Sequence, residues 1–233
     1  MPYAPTIYDW RTNCVPLNQV FRAGGQSGDA GLTLGGVRVG NPEPGGRAEL
    51  RMGFAAFVTE EANIDASWTI SRIMNGAVMR VPVHDSVQLV SAAALSGPET
   101  SGLPWGNGEP WASGAYWEWN PTVPVTAAAA RGATTVSADL GDYGQVLRIG
   151  HVIGFTVGAY DFAHAVMDIS YDADDVATIT VSPPLRRPLT TDHALKFRPK
   201  MMAVCANAAS VMTTFVRGRH MTFGDAVFLE ALV

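Results

Sequence analysis

Arg47-Ala48-Glu49-Leu50-Arg51-Met52-Gly53-Phe54 places Ala48, Leu50, Met52 and Phe54 at every second position, with Arg47, Glu49 and Arg51 between them. Side chains of an extended chain point alternately to opposite faces, so this stretch predicts a half-buried strand whose polar face carries the three charges. Immediately after it, Thr59 can cap a helix whose first turn holds Glu60 and Glu61, both favoured by the positive helix end. Ile64 and Trp68 lie four apart, Ala66, Ile70, Ile73 and Met74 form a neighbouring stripe, and Asn75-Gly76 supplies a stop. The helix is predicted over 59–75. Val78, Arg80-Val81, Val83 and His84 then read as a second strand, giving strand, helix, strand over 47–85.

Working outward, residues 22–47 hold Ala23-Gly24-Gly25-Gln26-Ser27-Gly28-Asp29-Ala30-Gly31 and end in Asn41-Pro42-Glu43-Pro44-Gly45-Gly46, a hairpin or long loop with turn chemistry at both ends. Downstream, 122–198 shows short candidate strands at 123–125, 134–138, 146–149, 151–157, 165–171, 176–181 and 194–197, separated by Asp172-Ala173-Asp174-Asp175 and Pro183-Pro184. So many strands in so short a span predict a small barrel or compact sandwich. The tail returns to strand character at 201–206, 211–217 and 225–232. The predicted class is mainly β with one prominent helix. Its organisation is a discontinuous domain, 1–97 plus 199–233, a Trp/Gly/Pro-rich linker over 98–121, and an inserted β-barrel domain over 122–198. No internal repeat is visible.

Composition bounds the rest. The 233 residues are 47% hydrophobic, enough to fill a core, yet only 16% charged, against roughly 25% in a usual soluble domain. Fewer charges must cover the surface, as when other subunits cover part of it; a compact secreted β-domain has a similar composition. Charge is sparse over 86–130 and along the 199–233 return, where subunit contacts are therefore expected. The formal net charge of -5 and the lack of an arginine-rich arm argue against general nucleic-acid binding. Only Lys196 and Lys200 are lysines among 16 basic residues, a bias that suits interface ion pairs or reflects a GC-rich gene. Cys14 and Cys205 are read as two buried thiols, bridged only if the chain termini meet. The first residues lack the basic and apolar regions of a secretory signal, and no apolar run approaches the ~18 residues of a membrane span, so no membrane insertion is expected.

Chemical motifs are few. There is no Gly-Lys pair for a phosphate loop, and Gly25-Gln26-Ser27-Gly28-Asp29 has Asp where a serine elbow needs its closing Gly. His84, His151, His164, His193 and His220 show no i, i+4 pairing, and no Cys-x-x-Cys occurs. Asp168, Asp172, Asp174 and Asp175 lack the central Gly and closing Glu of a calcium loop and read as a solvated hairpin tip. Two distant carboxylates can still meet in a fold to make a glycan hydrolase. No catalytic, cofactor or metal residue is assigned, and a non-enzymatic protein is expected. Trp105, Trp111, Tyr116, Trp117 and Trp119 are the candidate contacts, pinning the linker to a domain or stacking on a protein partner or a glycan.

Gly150-His151-Val152-Ile153-Gly154-Phe155, the strand 176–182, Pro183-Pro184-Leu185-Arg186 and the closing Ala194-Leu195-Lys196-Phe197 resemble the inserted β-domain of minor tail proteins of long-tailed bacteriophages and prophages. The Trp68-to-Arg72 helix, the Gly102-to-Gly114 aromatic loop and the terminal Val227-Phe228-Leu229-Glu230-Ala231 strand occur in similar order there, so the likeness covers about residue 47 to the end. The arrangement also resembles the distal tail protein family. That resemblance implies a sandwich-like belt domain that closes a homo-hexameric ring and a galectin-like or oligonucleotide/oligosaccharide-binding-like barrel outside it. It further implies a virion location at the tail tip or baseplate, after assembly in the host cytoplasm. The implied partners are the tail tube protein, the baseplate hub and tail fibre proteins, with the glycine-rich segment reaching a neighbour or lining the ring. The alternatives are another tail component such as a tube or terminator subunit, and, in a different class, a carbohydrate-binding module or glycan hydrolase domain.

Overall fold

The computed structural model describes residues 6–24, 27–32, 38–42, 46–84, 121–211, 213–216 and 220–232. The protein is mainly β with one long helix, built around two six-stranded sheets. The first sheet takes strands from both ends of the chain: β1 (Ile7–Asp9), β2 (Asn18–Arg22), β5 (Glu49–Gly53), β6 (Val78–Pro82), β13 (Lys200–Cys205) and β16 (Ala226–Glu230), in the order β1-β6-β13-β16-β5-β2. β1 runs parallel to β6, and the other pairs are antiparallel. The glycine-rich segment does form a hairpin, β3 (Ser27–Leu32) with β4 (Arg38–Pro42). A second hairpin joins β14 (Thr213–Val216) to β15 (His220–Phe223).

The second sheet lies between these in sequence: β7 (Thr122–Pro124), β8 (Thr135–Asp139), β9 (Val152–Val157), β10 (Tyr160–Tyr171), β11 (Val176–Ser182) and β12 (Ala194–Lys196). Its order is β7-β12-β9-β10-β11-β8, wholly antiparallel. The sheet curls until Val125, just past β7, forms a bridge to Ala138 on β8. Inside the curl sit Val136, Ile153, Phe155, Ile179, Leu189 and Leu195, a core separate from that of the first sheet.

The decisive stretch behaves as its alternation predicts: Ala48, Leu50 and Met52 are buried while Arg47 and Arg51 face solvent. The helix α1 (Glu60–Met74) starts at Thr59, whose hydroxyl accepts from Ala62 N at 3.2 Å. It ends in a Schellman turn: Gly76 at φ +67° lets its own N–H reach Ile73 O and Ala77 N–H reach Arg72 O. The face that meets the first sheet is Ala66, Thr69 and Ile73, while Ile64 and Met74 remain exposed. Ala66 and Ile73 belong to the stripe expected from the spacing; Thr69 joins them in place of Met74, and the small Ala66 and Thr69 let the helix sit close to the strands.

Three further features have physical causes. Residues 146–149, expected as a strand, are irregular and run into a turn: Gly144 at φ +70° and Gly150 at φ +92° bracket them, Leu147 is buried in the core and Val146 packs against it. The strand expected from residue 165 begins at Tyr160, because Asp161 and His164 find partners that make their burial tolerable. The charge-poor return, which the sequence reading associates with subunit contacts, supplies β13 and β16, the two central strands of the first sheet. Their low charge is explained by burial within the subunit.

Candidate assembly surface

Helix α1 presents two distinct outward faces. On one, Val58, Glu60, Asn63, Ile64 and Ser67 line an open groove of about 710 Å³. Val58 is 63% and Ile64 60% exposed, so the groove walls are apolar and wet. Its floor is secured by the β14–β15 hairpin: Met221 N–H donates to Asn63 Oδ1 at 3.2 Å, and Phe57 and Met221 pair through their backbones. On the other face Trp68 meets Tyr8 edge-on at 5.9 Å, with the Arg11 guanidinium 4.3 Å over the indole and Arg72 4.5 Å over the Tyr8 ring. Cation–π contacts of this kind hold guanidiniums flat on aromatic rings. A third apolar surface runs from Val15 and Leu17, just before β2, to Val20 on β2, which is an outer strand of the first sheet. An outer strand keeps backbone donors and acceptors available for another chain.

The contact between the two sheets is both apolar and ionic: Val152 and Ala163 of the second sheet join the core of the first, and Tyr160 packs against Val78, Met202 and Ala231. Arg186, on the segment after β11, embraces Glu230 of β16 with Nε at 3.0 and 3.1 Å from the two carboxylate oxygens and NH2 at 2.7 Å from one. The same NH2 donates to Gly46 O at 2.6 Å, and Ala48 N–H donates to Glu230 Oε2 at 3.2 Å. Elsewhere along the junction Arg80 of β6 pairs with Asp161 of β10, which also accepts from the Thr156 hydroxyl and lies 3.8 Å from Lys196 Nζ. Arg80 reaches on to Asp9 Oδ1 at 2.7 Å and Ala159 O at 3.2 Å. Arginine against carboxylate is the form of ion pair that tolerates burial, since its donors match both oxygens.

None of these groups is arranged as a catalytic pair. His164 is buried, its Nδ1 2.7 Å from Pro183 O, so that nitrogen carries the proton and donates. Burial holds its pKa down at about 4. His193 Nδ1 binds within its own turn at Thr190, and Arg148 N–H donates to His151 Nδ1. Asp172 Oδ1 accepts from Asp174 N–H and Val176 N–H, which makes this carboxylate a turn residue at the hairpin tip. Among the described residues no group of three His, Cys, Asp or Glu side chains is placed to hold a metal ion. Cys14 and Cys205 are free and buried thiols.

The candidate contacts Trp105, Trp111, Tyr116, Trp117 and Trp119 lie outside the described residues, as does the rest of the 98–121 linker apart from Pro121. The structure instead brings forward groups that sequence reading passes over: Tyr8 and Arg11 beside Trp68, and the clamps Arg80–Asp161 and Arg186–Glu230. The clamps' separations, 81 residues from Arg80 to Asp161 and 44 from Arg186 to Glu230, exceed any local pattern. The one available signal is the pair of charged residues, Arg186 and Glu230, in otherwise apolar segments. No helix among the described residues is long and apolar enough to cross a membrane. Compared with known proteins, the chain matches no family model and no curated protein.

Proposed function

We propose that this chain is a structural, non-enzymatic subunit of a phage tail tip or baseplate, closing a homo-hexameric ring that joins the tail tube to the baseplate hub and offers its outer β unit to fibres. The observation that supports this reading is the way the first sheet is assembled. Strand, helix and strand from the front of the chain are completed by β13 and β16 from its end, and the whole second sheet is carried between them. The sequence resemblance to tail proteins implies elements in a similar order. Ring subunits also need two unlike faces, one for each neighbour. The wet apolar groove and the aromatic–arginine face on α1 supply two such surfaces.

Sedimentation velocity and negative-stain imaging of the purified chain, alone and with tube and hub proteins, test the proposal. A closed ring in either setting supports it. A monomer at every concentration, indifferent to both partners, overturns it.

A further inference from the structure

We infer that the two outward faces of α1 dock on each other between neighbouring copies of this chain, the Arg11–Trp68–Arg72 ridge of one subunit seating in the Val58–Glu60–Ile64 groove of the next. This rests on the ring reading above and names the contact that closes it.

The ridge carries charge without a counterion. Arg11 lies over Trp68, and Arg72 lies over Tyr8 and, at 5.4 Å, over Trp68. Arg72 donates to the Tyr8 hydroxyl at 3.4 Å, and its Nε is buried with no hydrogen-bond partner among the described residues. Neither guanidinium forms an ion pair with a described carboxylate, although the other arginine clamps of this molecule do. Tryptophan and arginine held rigidly at a surface are the residue types that dominate interface energetics. The groove has the complementary character: Val58 and Ile64 for the apolar part of the ridge that Arg11, Tyr8 and the core leave uncovered, and the Glu60 carboxylate, itself unpaired among the described residues, for a guanidinium.

The occupant is a second copy because one helix carries both halves. At 3.6 residues per turn, Glu60, Ile64 and Ser67 form one stripe and Trp68 and Arg72 another roughly 100° away, with about 12 Å of rise between residues 64 and 72. A contact between different faces leaves each subunit with one of them still open, so it propagates past a two-fold dimer and closes into a ring where the rotation between copies returns to the first.

Charge reversal with exchange tests this. Arg11→Glu/Arg72→Glu and Glu60→Arg are each expected to shift the assembled wild-type species to monomer in sedimentation velocity. An equimolar mixture is expected to regain assembly, because the intact groove of the first variant meets the intact ridge of the second and the two reversed faces match each other. Far-ultraviolet circular dichroism melts establish that both variants are folded; where Arg72→Glu lowers the melting temperature, Arg11→Glu alone replaces the double variant, since that side chain is exposed. If wild type assembles and both variants assemble equally well, this contact is overturned and the ring reading stands. If wild type stays monomeric with tube and hub proteins present, the ring reading fails and the contact with it.

Discussion

Arg186 and Glu230 meet as a forked pair across the junction of the two sheets, at a point where the carboxylate is 1% exposed. Strand alternation sets this clamp on the face of the first sheet that carries Ala226 and Phe228, whereas Arg80, lying between the core residues Met79 and Val81, points to the other face. The second sheet therefore holds the first by two arginine–carboxylate pairs on opposite faces. The donor comes from the second sheet in one and from the first in the other. Such an arrangement resists rotation about either pair, since a turn that relaxes one must stretch the other.

Removing one member of the buried pair leaves a charge without its partner. Arg186→Met is expected to lower stability by about 3–5 kcal/mol, while Arg186→Met/Glu230→Met loses much less because both charges leave together. Urea denaturation of these two variants and of Glu230→Met gives the coupling energy. A single-variant loss below about 1 kcal/mol with additive effects would remove the clamp as a stabilising element.

Gly154 of β9 is where the second sheet comes closest to the segment leading into β13. A Cβ added there would lie 2.8 Å from Pro199 Cβ and 2.9 Å from Pro199 Cα, inside van der Waals contact, and 3.1 Å from Phe162 O. Two of those neighbours are backbone atoms and cannot step aside cheaply. Gly154→Ala is therefore expected to cost about 1–3 kcal/mol by overpacking. Gly132→Ala is the comparison: no atom lies within 4 Å there, so its cost is confined to the backbone at φ +85°. A Gly154→Ala protein as stable as wild type would show that the junction has slack.

The elements legible in the sequence are those whose instructions are local. β5 announces itself by alternation and α1 by Thr59, Glu60, Glu61 and Asn75-Gly76, because a strand face and a helix cap are decided within a few residues. β1, three residues paired in parallel with β6, carries no such signal: its partner lies 71 residues away. The first half of β10 reads as polar because Asp161 and His164 are acceptable inside only once Arg80, Thr156 and Pro183 surround them. The groove and ridge on α1 were equally hidden. Periodicity places Ile64 beside Trp68, whereas the face of Ala66, Thr69 and Ile73 takes the sheet, leaving Trp68 partly buried at the edge of the core and Ile64 exposed.

The two thiols should be inert in the native protein. Burial raises the Cys14 pKa to about 12, and burial also raises that of Cys205, although hydrogen bonds to its sulfur oppose the shift. Thiolate, not thiol, is the nucleophile, so both groups are unreactive at neutral pH by charge state as well as by access. Ellman's reagent is expected to label neither thiol of the folded chain within minutes and both in denaturant. Prompt labelling of a native thiol would place it at the surface.

His164 couples stability to pH, in a direction its surroundings determine. Burial is the largest influence and disfavours the imidazolium; the hydrogen bond to Pro183 O and the Glu230 charge act against it, and Arg186 adds to it. The result is a native pKa of about 4 against 6.5 for a free histidine. A folded pKa below the unfolded one means that the unfolded chain binds the proton first. The stability contributed by neutral His164 is thus complete above pH 6.5 and is lost as pH falls from there towards about 4. The steepest loss one group can give is about 1.4 kcal/mol per pH unit. His164→Asn retains an amide donor for Pro183 O but does not titrate, so its stability should be flatter across this window. Urea midpoints at pH 7.0, 6.0 and 5.0 compare the two. The difference between wild type and variant isolates His164 from His84, whose pKa is also lowered, by burial and by Arg198. Parallel pH profiles for the two proteins would mean that His164 gains its proton without cost to the fold, and that the cavity around Pro183 is wetter than its burial implies.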